Sequence, residues 1–289
     1  LFIFLINYNG EDKWVLFVLF LFRKIIGEMR KLILILEKNV SCLIKFFCKN
    51  TGMSLVKFLL SGIMCFAVAF CHGQKIEKII ALNSGLFSFY GKSAESTSSI
   101  NYNEISQDGY TNNPYGTGRD LCIGLSVMIK KVTSKNFLFG IDLGYEKLKS
   151  SVRITQISLS SANMNRSIAT HGKSRFKFNS INVFPFLGYR ISSAKMKTDL
   201  SLGMEMGYLI SAKDVGYASG FLEVYRISHE RSTINFDIRP RVQFTLNYKN
   251  FGFYTGYSLG LANFMSGYIG GENDCYSNII RFGVAYIIN

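Results

Sequence analysis

The sequence predicts an all-β protein: an eight-stranded antiparallel up-and-down transmembrane β-barrel preceded by a signal peptide. The first observation behind this is alternation. In Phe137–Leu148 the residues Phe137, Phe139, Ile141, Leu143 and Tyr145 fall on one face, and Leu138, Gly140, Asp142, Gly144 and Glu146 on the other. Successive side chains of a strand point to opposite faces, and a helix at about 3.6 residues per turn would not sort them so. The second observation is rhythm, because eight such segments are joined by connections that alternate long and short. Transmembrane barrels have short turns at one end and long loops at the other, and only closure satisfies every backbone group in lipid. The third is composition: the 289 residues hold 25 Phe, 16 Tyr and 26 Gly but only 3 Pro, a mixture that suits many strands.

The chain divides into three parts. Residues 1–52 lack an initiating Met, and their apolar run Trp14–Phe22 is broken by Arg23 and Lys24. That run is shorter than the roughly 20 apolar residues a membrane helix needs, and this upstream segment is expected not to belong to the mature protein. Residues 53–73 have the order of a secretory signal peptide: Lys57 as the positive region, Phe58–Phe70 as the apolar region, and Cys71-His72-Gly73 as a small-x-small cleavage site. Residues 74–289 form the expected barrel domain, exported to the outer membrane of a Gram-negative cell envelope. A membrane-anchored N-terminus is the alternative. Nine of the 33 Lys/Arg and four of the 19 Asp/Glu precede Gln74, so the net charge of +14 falls to +9 beyond it. That balance suits anionic lipid headgroups or glycolipid phosphates. No helix-turn-helix, metal-finger or RRM-like pattern accompanies it, which argues against nucleic acid.

The strands follow in order. The first covers about Ile79–Tyr90 and the second Asp120–Val132, with Leu121, Ile123, Leu125, Val127 and Ile129 on one face. The short turn Thr133–Asn136 leads into the third, Phe137–Leu148. A long polar segment precedes the fourth, Lys177–Ile191, and the turn Ser192–Met196 joins it to the fifth, Thr198–Ser211. The sixth, Thr233–Tyr248, meets the seventh, Phe251–Ala262, through Lys249-Asn250, where Asn tolerates the left-handed conformation a two-residue loop needs. The eighth is Tyr276–Ile288. Pro185 and Pro240 fall inside strands, so a bulge is expected at each. The β-branched and aromatic stretches Val152–Leu159 and Phe221–Ile227 predict that the second and third outer loops continue as strands, with an edge open to strand addition.

A soluble lipocalin-like barrel would put the apolar face inside. Here the polar face mixes Gly, Ser and Asn with a few opposed charges, which suits a narrow crowded lumen rather than a solvated surface. Tyr145, Tyr189, Tyr208 and Tyr257 each follow a glycine on the apolar face and are read as an aromatic girdle. Counting back from the midpoint of the third outer loop sets Glu205 opposite Arg239. With Asp142, Glu146, Arg190, Arg241 and Arg281 on the same inward phase, these residues are expected to form a luminal charge network that plugs the barrel. Buried charges must be paired, since an unpaired one costs several kcal/mol. Four cysteines (Cys42, Cys48, Cys65, Cys71) precede Gln74, leaving Cys122 and Cys275 as candidates for a rim disulfide. Strand one lies between them, and two strand spacings of about 9.6 Å exceed the ~7 Å Cα limit unless the loop bends inward.

Three segments carry a family resemblance. Ile181-Asn-Val-Phe-Pro-Phe-Leu-Gly-Tyr189, Leu202-Gly-Met-Glu-Met-Gly-Tyr-Leu209 and Tyr257-Ser-Leu-Gly-Leu261 resemble strands of PorT-like outer-membrane β-barrel proteins. The resemblance spans about residues 76–289 and implies an outer-membrane barrel without a common reaction; a few members serve in protein secretion.

The residues point to no reaction. His171 and His229 are read as solvated loop histidines. Ser228-His229-Glu230 lacks a GxSxG-type context, and Gly116-Thr-Gly118 is too short for a phosphate loop. Zinc and calcium spacings are absent, and no cofactor is expected. The function predicted from sequence is therefore that of a non-enzymatic structural or binding barrel. Its long loops would contact outer-membrane lipid and glycolipid, surface polymer or a partner protein. An accessory role in secretion or envelope assembly is the alternative, ahead of a barrel enzyme or small channel. An eight-stranded interior is just wide enough for side chains, which argues against an open pore.

Overall fold

The computed structural model describes residues 75–162, 164–193, 196–220, 223–267 and 273–288. The upstream segment 1–52 and the expected signal peptide 53–73 lie outside the described residues. Among the described residues eleven strands are present: β1 (Lys75–Tyr90), β2 (Thr97–Asn103), β3 (Asp108–Thr111), β4 (Gly118–Val132), β5 (Phe137–Ser160), β6 (Asn165–Ser192), β7 (Lys197–Ser219), β8 (Val224–Glu230), β9 (Phe236–Tyr248), β10 (Phe251–Leu259) and β11 (Tyr276–Ile288).

Eight of them form the barrel. β1 pairs with β4, β4 with β5, β5 with β6, β6 with β7, β7 with β9, β9 with β10, β10 with β11, and β11 again with β1, every pair antiparallel. The short connections 133–136, 193–196 and 249–250 share one end, and the long ones share the other. Asn136 (φ 65°) takes the left-handed conformation in the first turn. In the last it is Lys249 (φ 52°), not Asn250, that does so.

The polarity of a soluble protein is inverted. Leu121, Ile123, Leu125 and Val127 of β4, Leu202, Met204 and Met206 of β7, and Phe282, Val284 and Tyr286 of β11 are exposed on the outside, while Glu205, Arg239 and Arg281 are buried within. On β11 the outward rings of Tyr276 and Tyr286 are ten residues apart. That is roughly 34 Å of strand, or about 26 Å of height at a tilt of about 40°, close to the ~25 Å apolar band of an outer-membrane barrel. The fold is an eight-stranded antiparallel transmembrane β-barrel.

The interior is layered, and β1 gives the order. Glu77 lies nearest the short turns. Ile79 and Ala81 follow in an apolar layer with Met128, Phe184, Phe186 and Tyr254. Gly85, opposite Arg281, marks the arginine layer. Phe87 and Phe89 then join Tyr115, Phe176, Phe178 and Phe264 in an aromatic layer, packed mostly edge to face at centroid distances such as 4.9 Å for Phe87–Phe178 and 5.1 Å for Phe89–Tyr115.

Beyond the barrel rim β5, β6 and β7 continue as strands. β5 runs through Val152–Leu159 to Ser160, and β8 covers the stretch 224–230 against the end of β7; Phe221 lies outside the described residues. The first long connection contains the β2–β3 hairpin, with β2 parallel to the end of β5. Ile100, Val152, Ile154, Ile157, Leu159, Ala218 and Ile227 give this platform its own core.

The expected bulges at proline are absent. Opposite Phe184 and Pro185 the β6–β7 ladder is interrupted, but Val183↔Met206 and Phe186↔Gly203 keep one register. Pro240 pairs with Met204 of β7 and lies one residue beyond the last β9–β10 pair, Arg241↔Ser258. Its missing N–H therefore falls where that ladder has already ended, and no extra residue is needed. Register shifts sit elsewhere: at Ile210 of β7, between Ile154 and Gln156 of β5, between Arg119 and Ile123 of β4, and between Ser98 and Ser99 of β2.

Candidate functional site

The central luminal cluster is built on neighbouring strands and completed across the barrel. Glu205 of β7 pairs with Arg239 of β9 in the ladder, and their side chains meet at 3.1 Å. Glu205 also accepts from Arg281 at 2.7 Å and from Arg241 at 3.2 Å, so three guanidiniums converge on one fully buried carboxylate. Arg281 in turn donates two bonds of 2.9 Å to Glu146, a planar two-point match that a lysine would not make. Asp142 stands 3.8 Å from Arg241, and Asp237 3.6 Å from Arg239. Asn182 donates to Glu146 at 2.7 Å and accepts from Arg239 at 3.2 Å. Gly207 makes room, because a Cβ there would lie 2.4 Å from the Arg239 guanidinium.

Arg190 is not in this cluster. It lies near the short turns, where Glu77 takes two of its bonds at 2.7 and 2.8 Å and Asp199 two more at 2.6 and 2.8 Å. Lys130 adds a contact to Asp199 at 2.6 Å and one to Glu77 at 3.4 Å. Two acids and two bases thus form a second layer, separated from the first by the Phe184/Phe186 stack. The sequence reading missed Glu77, Lys130 and Asp199. Lys130 and Asp199 were on the polar phase of their strands, whereas Glu77 precedes the expected start of strand one.

The four tyrosines occupy two levels. Tyr145 and Tyr208 are exposed near the long-connection end, each opposite Ile181 of β6, and Tyr257 is exposed on β10. Tyr189 is half-buried at the other end, its ring 5.6 Å from that of Phe137.

Cys122 and Cys275 form no disulfide. Both are free and buried. Cys122 pairs with Gly85, whereas Cys275 directly precedes Tyr276, the partner of Tyr90. Cys275 is thus level with Gly91, and the six-residue offset along β1 adds roughly 20 Å to the lateral gap. Burial pushes the Cys275 thiol up to about 12.

A buried polar latch fastens the platform. Asp214 of β7 accepts from the Thr111 backbone N–H at 2.7 Å and from its hydroxyl at 3.0 Å, and from Ser174 at 2.5 Å. Arg231 stands 3.3 Å from the same carboxylate and donates to the Thr111 carbonyl. Tyr225 of β8 donates to Glu223 at 2.7 Å, a bond that pushes its phenol up to about 12. The platform also holds an open cleft of about 640 Å³ among Asn101, Asn103, Asp108, Tyr110, Arg166 and His229. His171 and His229 lie in β6 and β8, not in loops. Among the described residues no three His, Cys, Asp or Glu side chains are placed to hold a metal ion.

No family model matches the chain, and no curated protein does. Among solved structures it is similar to Ail, the attachment invasion locus protein of Yersinia pestis, in complex with the heparin analogue sucrose octasulfate (12% identity, TM-score 0.36, 74% of this chain and 99% of that one). It is also similar to Neisserial surface protein A (10%, TM-score 0.30, 74% and 99%) and to the outer membrane protease OmpT of Escherichia coli (14%, TM-score 0.32, 74% and 96%). Likenesses this loose assign no function to this chain. One correction does follow: the sequence reading expected a non-enzymatic barrel and set an enzyme behind it, and that expectation is withdrawn, since the matched barrels include an outer membrane protease.

Proposed function

We propose that this chain is an outer-membrane barrel that binds ligands with its extracellular platform, and that its luminal clusters act as a plug. Export through the signal peptide 53–73 belongs to this reading, as does membership of the PorT-like barrels, supported by the strand motifs at Ile181–Tyr189 and Tyr257–Leu261. The observation that carries the reading is the contrast between interior and platform. The lumen is packed with paired charges and aromatic rings, while an open cleft of about 640 Å³ lies on the platform. Its amides, hydroxyls, Tyr110 ring and Arg166 guanidinium suit a polyhydroxylated surface polymer of the envelope.

Calorimetric titration of the detergent-solubilised protein with purified surface polysaccharide tests this. Binding that weakens at least tenfold in Tyr110→Ala or Arg166→Ala is the expected result. Unaltered binding in both variants, or none to the parent protein, would overturn the assignment. An accessory role in secretion or envelope assembly is the second reading, favoured by the same strand motifs. Its test is co-purification of a defined envelope complex with a protein tagged in the β8 region.

A further inference from the structure

At the rim, three lysines stand directly opposite one another. Lys149 of β5 pairs with Lys177 of β6, and Lys177 pairs with Lys213 of β7. All three are on the outward face, and Lys147 lies two residues below Lys149 on the same face. Like charges directly opposite in a sheet destabilise it. A protein selected for stability alone would not place three in one row.

The surrounding groups do not neutralise them. Glu230 of β8 is opposite Lys213 in the ladder, but no ion pair joins them. Asp120, the other acid on this face, is taken by Lys173 at 3.1 Å and Arg175 at 2.9 Å. Among the described residues none of the four lysine amines has a carboxylate within ion-pair distance. A recess of about 480 Å³ lies among them, with Arg231 and the single carboxylate of Glu230 at its margin.

Height above the lipid belt decides what fits. Below the lysine row come Asn179 and Ser211, bonded at 2.8 Å, and below those the exposed row Tyr145, Ile181 and Tyr208. Four residues separate Tyr145 from Lys149, roughly 13 Å of strand or about 10 Å of height. The amines therefore sit at the level of headgroups while the row beneath faces acyl chains. The bulge at Ile210 matters here: it shifts the phase of β7 so that Lys213 faces outward and Asp214 inward.

We propose that Lys149, Lys177 and Lys213, with Lys147, bind the phosphate of a membrane glycolipid in the outer leaflet. A carboxylate would offset one lysine, whereas a phosphate monoester carries nearly two charges and three acceptor oxygens. The outer strands of the row are about 9.6 Å apart, within reach of long lysine side chains converging on one group. The site rests on the outer-membrane reading above.

The test compares the parent protein with Lys149→Gln/Lys177→Gln/Lys213→Gln in neutral detergent. Each is titrated with an acylated diglucosamine bisphosphate, with the same glycolipid stripped of phosphate, and with inorganic phosphate. The parent should gain heat stability only from the phosphorylated glycolipid. The triple variant should melt above the parent without lipid, because repulsion is relieved, and bind the phosphorylated form at least tenfold more weakly, about 1.4 kcal/mol. Equal binding of both glycolipid forms, equal binding of inorganic phosphate, or undiminished affinity in the variant would overturn the site. If the triple variant does not fold, Lys177→Gln at the centre of the row is read in the same way. Flotation with lipid vesicles separates the two claims: protein that floats but ignores the phosphate sinks the lysine site alone, and protein that fails to float sinks the membrane reading.

Discussion

Replacing Glu205 with Ala removes the carboxylate on which Arg239, Arg241 and Arg281 converge at 3.1, 3.2 and 2.7 Å. Glu205 is fully buried, so water does not replace it. Arg281 keeps Glu146, but the only carboxylates left near Arg239 and Arg241 are Asp237 at 3.6 Å and Asp142 at 3.8 Å, beside the neutral amide oxygens of Asn182 and Gln243. Removing one member of a buried ionic group costs about 3–5 kcal/mol, because its partners remain charged and out of water. For a domain of this size each kcal/mol is worth about 2–4 °C, so the unfolding midpoint should fall by roughly 6–20 °C. The assay is the temperature at which the detergent-solubilised barrel loses its compact electrophoretic form, read against Ser106→Ala in an outer turn. A Glu205→Ala midpoint within 2 °C of that control would refute the account of the lumen as a paired network.

Asp214→Ala should leave the Thr111 and Ser174 donors unsatisfied, at a cost of about 1–3 kcal/mol, and speed amide exchange in Asp108–Thr111 more than in the barrel strands; uniform exchange would count against the latch. Alkylation at pH 8 should leave the folded protein unmodified at Cys275, whose thiol burial pushes up to about 12, and should modify it after unfolding; rapid labelling of native protein would contradict its burial. Planar bilayers carrying the protein should show no steady conductance, and a large single-channel step would reject the plugged lumen. N-terminal sequencing of membrane-extracted protein should begin near Gln74, and residues from before Met53 would sink the signal-peptide reading.

Much of the barrel was legible because two simple periods encode it. Alternation fixed which face of β4, β5, β7 and β9 turns outward, the short turns fixed neighbours and register at their own joints, and counting back from the midpoint of the third outer loop set Glu205 opposite Arg239. Contacts across the lumen were not legible. Arg190 reaches Glu77 from β6 to β1, Arg281 reaches Glu146 from β11 to β5, and Glu205 reaches Arg281 from β7 to β11. Each spans three steps around the ring, a distance set by barrel width and shear rather than by any local pattern. Assigning Arg190 to the central network failed for that reason: phase shows that a charge points inward, but not the layer in which it finds a partner.

The bulges mark a second limit, and it concerns function. A strand read at strict period two carries its phase to its end, so one unpaired residue reverses every assignment beyond it. In β7 the outward side is even-numbered through Tyr208 and Ile210, then odd-numbered from Ser211. Without that reversal Asp214 would face outward and Lys213 inward, losing the Thr111 latch and the lysine row together. The residue that breaks the pattern is an ordinary isoleucine, with no Gly or Pro to announce it. Below the bulge β7 presents Leu202, Met204, Met206 and Tyr208 to lipid; above it the same strand presents a cation at headgroup height. One inserted residue thus separates the part of the strand that dissolves in the membrane from the part that faces what lies upon it.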